Sequence, residues 1–337
     1  GRMNQGHLDD AGLALPPAES TALASSYRLH AGQIGDAVAI ARARRSLTEC
    51  PVPDVADLRT AAGELAGRAV DGVARRVDVT HTWDDLVVEP DTRAQLAEMC
   101  ERARHRDVVL RDWGLGRTGA AGTHALFSGP SGTGKTAAAQ VIAGELGCQL
   151  RKVDLAAVVS KYIGETEKNL DAIFQAAADC DVVLLFDEAD ALFGKRSEVR
   201  DAHDRYANIE ISYLLQRMEE HQGLTILTTN LRRNLDDAFL RRLAFDVRFP
   251  FPDEPARGRL WQQALGPAAP VAADVDVTAL AAGYPLSGGQ IRNVALAAAY
   301  LAASDGGAVR MRHLQLAVRR EYQKLGKQIA TDPADGP

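Results

Sequence analysis

The residues best suited to chemistry lie between Leu126 and Thr136, Leu-Phe-Ser-Gly-Pro-Ser-Gly-Thr-Gly-Lys-Thr, which holds the pattern Gly129-x4-Gly134-Lys135-Thr136. Gly129, Gly132 and Gly134 permit positive φ, so the loop Pro130-Ser131-Gly132-Thr133-Gly134 can turn its backbone N–H groups toward one concavity. Lys135 is long enough to reach terminal phosphates, and the Thr136 hydroxyl is a ligand type suited to Mg2+. The expected ligand is a nucleoside triphosphate with its Mg2+. Two more stretches carry polar groups at the ends of apolar runs. Val182-Val-Leu-Leu-Phe-Asp187-Glu188 places Asp187 where it could hold Mg2+ and Glu188 where it could polarise a water toward the γ-phosphate. Thr225 to Asn230 ends in Thr228-Thr229-Asn230, and Asn230 is expected beside Glu188, orienting the same water.

These groups need a scaffold of strand tips. An apolar run, His124 to Ser128, reads as a strand entering the phosphate loop, and Ala137 to Leu146 reads as a helix leaving it and stopping at Gly147. Further strands are expected at Gln149–Asp154, Val182–Phe186, Thr225–Thr229 and Asp246–Phe249. Together with Ala125–Ser128 they make five, separated by helices, as in a parallel sheet covered on both faces. Helices are expected near Thr92 to Arg106 and near Tyr206 to Glu220. The fold class is therefore α/β, a P-loop core followed by an all-helical unit.

The expected organisation is a tail at 1–20, a helical segment at 21–80, a nucleotide-binding domain at 81–252, a helical lid at 253–327 and a second tail at 328–337. From Tyr27 to about Val77 the pattern is helical, broken at Pro51 and Pro53. It also repeats: Tyr27 to Ile34 matches Tyr284 to Ile291, and Asp57 to Ala61 matches His313 to Ala317. Such self-similarity suggests that 21–80 is the lid of an earlier, truncated copy of the module that follows.

Composition bounds the partners. The chain has 337 residues, enough for two or three compact units. Its net charge of −6 argues against non-specific binding to nucleic acid or to an anionic membrane surface. Cys50, Cys100, Cys148 and Cys180 form no Cys-x-x-Cys pair, which disfavours a zinc site or disulfide framework and suits a reducing cytoplasm. No apolar run approaches the length of a membrane span, and no signal peptide is visible.

Taken together, these motifs resemble the AAA family of ATPases over about residues 81 to 327. The resemblance implies a P-loop AAA+ core with a C-terminal helical lid, ATP and Mg2+ as ligands, and hydrolysis of ATP to ADP and phosphate. It implies that Asn230 is the family's sensor 1 residue. Gly288 and Gly289, after Ser287, look like the lid turn that packs against adenine, and Asp85-Leu86-Val87 looks like the strip on its other side. Lys161, Tyr162 and Ile163 resemble the first pore loop, which in this family grips a threaded polypeptide, and residues 193–200 stand where a second would be. Adjacent Arg241 and Arg242 resemble the katanin and spastin arginine-finger pattern, which acts across a subunit boundary and so implies a homo-oligomer, a hexameric ring.

Two departures stand out. Leu243-Ala244-Phe245-Asp246 replaces the family's Gly-Arg-Phe-Asp, and Gln290 replaces an acidic residue common in the lid turn. Longer phrases, Ser-Lys-Tyr-Ile-Gly-Glu-Thr-Glu-Lys among them, are similar to bacterial AAA proteins associated with contractile injection systems. The implied function is a motor that remodels or threads protein substrates; the alternative is a slow, nucleotide-dependent scaffold or assembly factor serving such a particle.

Overall fold

The computed structural model describes residues 31–45, 53–67, 74–117, 122–158, 164–178, 182–190, 202–232 and 237–326. Lys161, Tyr162, Ile163, the 193–200 segment and the tails at 1–20 and 328–337 lie outside these residues. The chain divides into two compact units, one holding residues up to Thr82 with 94–128 and 136–247, the other holding 83–93, 129–135 and 248 onward.

The first unit is built on a sheet of six strands: β1 (Arg75–Val77), β2 (Thr123–Ser128), β3 (Gln149–Asp154), β4 (Val182–Asp187), β5 (Leu224–Thr229) and β6 (Phe245–Arg248). Their spatial order is β1-β3-β4-β5-β2-β6. β3, β4, β5 and β2 run parallel, in a register that places Asp154 beside Asp187, Phe186 beside Leu227 and Ser128 beside Thr229. Every residue of β2 and β5 is buried, as expected for strands covered on both faces. All five strands read from the sequence are present. The sixth, β1, pairs antiparallel with β3 where the sequence pattern reads as helix up to about Val77. A three-residue edge strand is defined by its partner rather than by its own propensity.

Helices of this unit are α1 (Ala31–Arg45), α2 (Val55–Gly67), α3 (Pro90–Arg104), α4 (Lys135–Leu146), α5 (Leu155–Val158), α6 (Glu165–Ala178), α7 (Ala202–Glu220) and α8 (Asp237–Leu240). Leu170, Ile173 and Phe174 of α6, with Leu214 and Met218 of α7, form one core with Leu184 and Phe186 of β4 and Leu227 of β5. Phe174 and Phe186 stack with centroids 5.6 Å apart.

The lower part of this core holds two imidazoles. His124 on β2 and His221 ahead of β5 are buried, and among the described residues Nδ1 and Nε2 of His124 and Nε2 of His221 have no hydrogen-bond partner. The ring of His221 occupies space left open by a missing side chain: a Cβ at Gly223 would lie 2.4 Å from its Nε2. Burial, reinforced by Arg102 at His124 and by His124, Arg106 and Arg217 at His221, pushes both rings down to about 4. Both titrate near 6.5 when unfolded, so the unfolded chain takes up their protons first. Stability is full above about pH 6.5 and falls as pH drops toward 4. The expected loss between pH 7.5 and pH 5 is roughly 2 kcal/mol per ring, read as a lower urea midpoint. The drop should shrink in His221→Phe; superimposable wild-type midpoints at the two pH values would contradict this account.

The second unit contains the helices α9 (Glu254–Leu265), α10 (Val277–Gly283), α11 (Gly288–Ser304) and α12 (Met311–Lys324). Trp261, Leu280, Ile291, Val294, Ala298, Leu314 and Val318 pack into its core. Three of the four helices start at side-chain caps: Asp253 accepts from Ala256 N, Asp276 from Thr278 N and Ala279 N, and Ser287 from Gln290 N. No helix among the described residues is long and apolar enough to cross a membrane.

The repeat in the sequence has a structural counterpart. In the alignment of the two segments, Ala31 at the start of α1 falls on Gly288 at the start of α11, and Val55 at the start of α2 falls on Met311 at the start of α12. Buried positions coincide as well. Ile34, Ala37, Val38 and Ala41 answer to Ile291, Val294, Ala295 and Ala298, while Leu58, Ala61 and Ala62 answer to Leu314, Ala317 and Val318.

Candidate active site

In the second unit the phosphate loop is tightly folded. Gly129, Gly132 and Gly134 all have positive φ, at 153°, 77° and 102°. A side chain is excluded twice over at Gly129, because a Cβ there would also sit 2.0 Å from the Phe249 carbonyl oxygen. Lys135 is buried, and its Nζ donates to the carbonyls of Gly129 at 2.6 Å and Pro130 at 2.9 Å. Its ammonium thus closes the loop on itself, and the Thr133 hydroxyl donates to the same Pro130 carbonyl at 2.9 Å.

The lid turn meets this loop directly. Gly289 N donates to Gly132 O at 3.0 Å, and a Cβ at Gly132 would lie 2.6 Å from Ser287 Oγ. Gln290, the departure noted in the sequence, closes a capping box: its side chain accepts from Ser287 N at 2.7 Å while its own N–H donates to Ser287 Oγ. An amide therefore closes the cap without adding charge beside the phosphate loop. The strip Asp85-Leu86-Val87 is adjacent, with Leu86 Cδ1 3.8 Å from the Cβ position of Gly134. Gln263 of α9 donates to Asp84 O at 3.0 Å, and the Arg93 guanidinium lies 5.0 Å over the Trp83 ring. Asp85, Leu86, Val87, Gly288 and Gly289 thus belong to the same unit as the phosphate loop.

The acidic end of the sheet belongs to the first unit. β4 and β2 flank β5 and run parallel to it, so Asp187, Asn230 and the strand tip that feeds the phosphate loop lie at the same C-terminal end of the sheet. Lys152 of β3 lies 2.5 Å from Asp187. The Thr228 hydroxyl donates to Asp187 Oδ1 and accepts from Glu188 N at 3.2 Å, while Thr228 O accepts from Ala189 N at 2.9 Å. Burial opposes ionisation of Asp187, but the Lys152 ammonium, the Thr228 hydroxyl and the Glu188 amide outweigh it and hold the carboxyl below its ordinary value. Glu188 is exposed and has φ 55°, the one positive φ outside glycine among the described residues. A left-handed glutamate is strained by about 1 kcal/mol or more, and the two bonds to Thr228 hold it there.

This donor set suits Mg2+ rather than a metal in an all-protein cage. Among the described residues no group of three His, Cys, Asp or Glu converges. A carboxylate such as Asp187 and a hydroxyl such as Thr136 are ligand types that Mg2+ takes when phosphates and water complete its shell. Lys152 holds the neutralising charge beside Asp187, and sequence reading missed it because it sits on a different strand.

Arg241 and Arg242 follow α8 and are both exposed. Arg242 pairs with Glu219 at 3.3 Å, whereas no partner for Arg241 is found among the described residues. In the altered segment after them, Asp246 accepts from Arg232 Nε at 3.0 Å. Also missed by the sequence reading was Asp190, whose carboxylate gathers the donors at the tip of β5.

Comparison with known proteins agrees with this geometry. Residues 125–253 match the ATPase family associated with various cellular activities (AAA), and residues 253–321 match the contractile injection system ATPase helical domain. The chain belongs to the AAA family of ATPases and carries that helical domain as its lid. It is 32% identical over 184 residues to an uncharacterized AAA family ATPase, y4kL, of Sinorhizobium fredii, covering 55% of this chain and 54% of that protein. It is 37% identical over 139 residues to the 26S proteasome regulatory subunit 10B of Dictyostelium discoideum, covering 39% and 35%. It is 30% identical over 213 residues to spastin of Naegleria gruberi, covering 59% and 39%. The chain thus spans about half or less of the length of these relatives.

Proposed function

We propose that this chain is the ATP-hydrolysing motor of a homo-oligomeric ring that remodels or threads protein substrates. The observation that carries the reading is the shared C-terminal end of the sheet: Asp187 ends β4 with Glu188 after it, Asn230 follows β5, and β2 on the other side of β5 runs into the phosphate loop. Pro130 to Thr136 cradle the phosphates, with Lys135 released from its carbonyls onto the terminal phosphates. Asp85, Leu86, Val87, Gly288 and Gly289 receive the adenine. Thr136 and Asp187 would hold Mg2+, which would supply charge neutralisation for the phosphates. Glu188 accepts a proton from the attacking water, Asn230 orients that water, and Arg241 or Arg242 of a neighbouring chain offsets charge on the γ-phosphate.

Lys161, Tyr162 and Ile163 form the grip on the substrate polypeptide, a role that rests on family resemblance. In a hexameric ring acting in the cytoplasm, hydrolysis would displace this loop along the pore. Tyr162→Ala is therefore expected to keep basal ATP turnover within about twofold while abolishing unfolding of a tagged protein substrate. A mutant that unfolds the substrate at the wild-type rate would rule out the threading role.

The helical-domain match favours one second reading, an assembly factor for a contractile injection particle with slow turnover. The matched starts and buried positions of α1–α2 and α11–α12 support reading residues 21–80 as a lid of the same kind, the remnant of a preceding AAA module. Mg2+-dependent phosphate release separates the readings: a motor turns over repeatedly without a partner, and a switch turns over about once per binding event.

A further inference from the structure

The geometry points to Asp190 as a positioning residue for hydrolysis, acting through Asn230; this rests on the ATPase reading above. Asp190 follows the acid pair by two residues and is half-buried. Its carboxylate accepts from the Thr229 hydroxyl, from Asn230 N at 3.0 Å and from Leu231 N at 3.3 Å. Leu231 N is shared with Thr229 Oγ1 at 3.0 Å, so the turn after β5 is tied from both directions. The donors stand about forty residues away in sequence, and two of them are main-chain amides that a turn leaving a sheet would otherwise give to water.

Physically, Asp190 and Thr228 make a reciprocal clasp. Thr228, on β5, fixes the backbone of Glu188 through Glu188 N and Ala189 N. Asp190, on the acid-pair side, fixes the backbone of Asn230. Neither the general base nor the water-orienting amide is therefore set by its own strand alone. Each is held by the other's neighbour, so the distance between them is preserved when either strand tip shifts. Charge-assisted bonds from a carboxylate to backbone N–H groups are about twice as strong as neutral ones, which suits a joint that must not drift. A displacement of about 1 Å in a reacting group costs on the order of 10²-fold in rate.

Asp190→Ala and Asp190→Asn separate positioning from folding. Three quantities are compared in the full chain: affinity for a fluorescent ATP analogue with Mg2+, single-turnover phosphate release, and the thermal midpoint. Asp190→Ala should bind within about threefold of wild type and release phosphate about 10²-fold more slowly. Asp190→Asn keeps an acceptor oxygen and should recover at least about tenfold of that loss, at a thermal midpoint matching wild type. Phosphate release by Asp190→Ala within threefold of wild type overturns the positioning role. So does a parallel loss of binding and release in both variants, which marks a merely structural residue. If wild type itself releases phosphate no faster than Glu188→Gln, the ATPase reading fails first and the positioning role falls with it.

Discussion

Replacing Glu188 by glutamine is expected to leave ATP bound and to lower turnover by about 10²- to 10⁴-fold, the range for loss of a general base. The amide has the same shape as the carboxylate but cannot take a proton from water. Under the proposed mechanism the substitution changes only that proton transfer. The Glu188 backbone is held by Thr228 through main-chain groups that the substitution does not touch. The Asp187 carboxylate keeps both Lys152 and Thr228. Lys135 and the loop of positive-φ glycines are likewise unchanged. Equilibrium binding of a fluorescent ATP analogue, with phosphate release from the same preparation, reads both halves of the expectation. Turnover within tenfold of wild type would remove Glu188 from the mechanism.

Arg241→Ala is expected to cost about 10³-fold in turnover, the lower end of what a trans-acting arginine contributes to phosphoryl transfer. Arg242→Ala is expected to cost less than about fivefold. The asymmetry comes from their surroundings. Arg242 pairs with Glu219 across a surface where both side chains are nearly half exposed, and such a pair is worth under about 1 kcal/mol. Under the proposed ring, Arg241, exposed on the same turn, is the guanidinium expected to meet a neighbour's γ-phosphate. Neither variant alone proves action in trans, but mixing does. An Arg241→Ala chain retains its own Glu188, and a Glu188→Gln chain retains its own Arg241. In an equal mixture about a quarter of the sites pair a sound glutamate with a sound arginine, so activity should return to about that fraction of wild type. A mixture no more active than the average of its two components would place the arginine in cis or outside the reaction.

The site was legible in the sequence where local chemistry dictates it. A run of glycines ending in Lys135-Thr136, between an apolar strand and a small-residue helix, has few other uses. Strand tips were legible for the same reason, since Val182 to Phe186 and Thr225 to Thr229 are apolar runs that end abruptly in polar residues. What escaped was pairing between strands. Lys152 reaches Asp187 because β3 and β4 run in register, and Asp190 finds its donors on β5, facts of tertiary arrangement that no window of a dozen residues contains. β1 escaped because three residues, two of them arginines, carry no strand signal until β3 supplies the edge. The departure at Gln290 was noticed as a missing charge, and its capping geometry shows why an amide serves there. The α1–α2 repeat was visible as a short likeness. Only the matching burial of Ile34, Val38, Leu58 and Ala62 with Ile291, Ala295, Leu314 and Val318 gives it structural weight.

The central claim is that each site is completed by a neighbouring chain, and ATP turnover per chain as a function of protein concentration tests it most directly. Sedimentation at each concentration supplies the assembly state. The account predicts turnover that is negligible where the protein sediments as a monomer, then rises steeply with assembly to a plateau. Substantial turnover per chain that stays constant down to concentrations where only monomers sediment would contradict it.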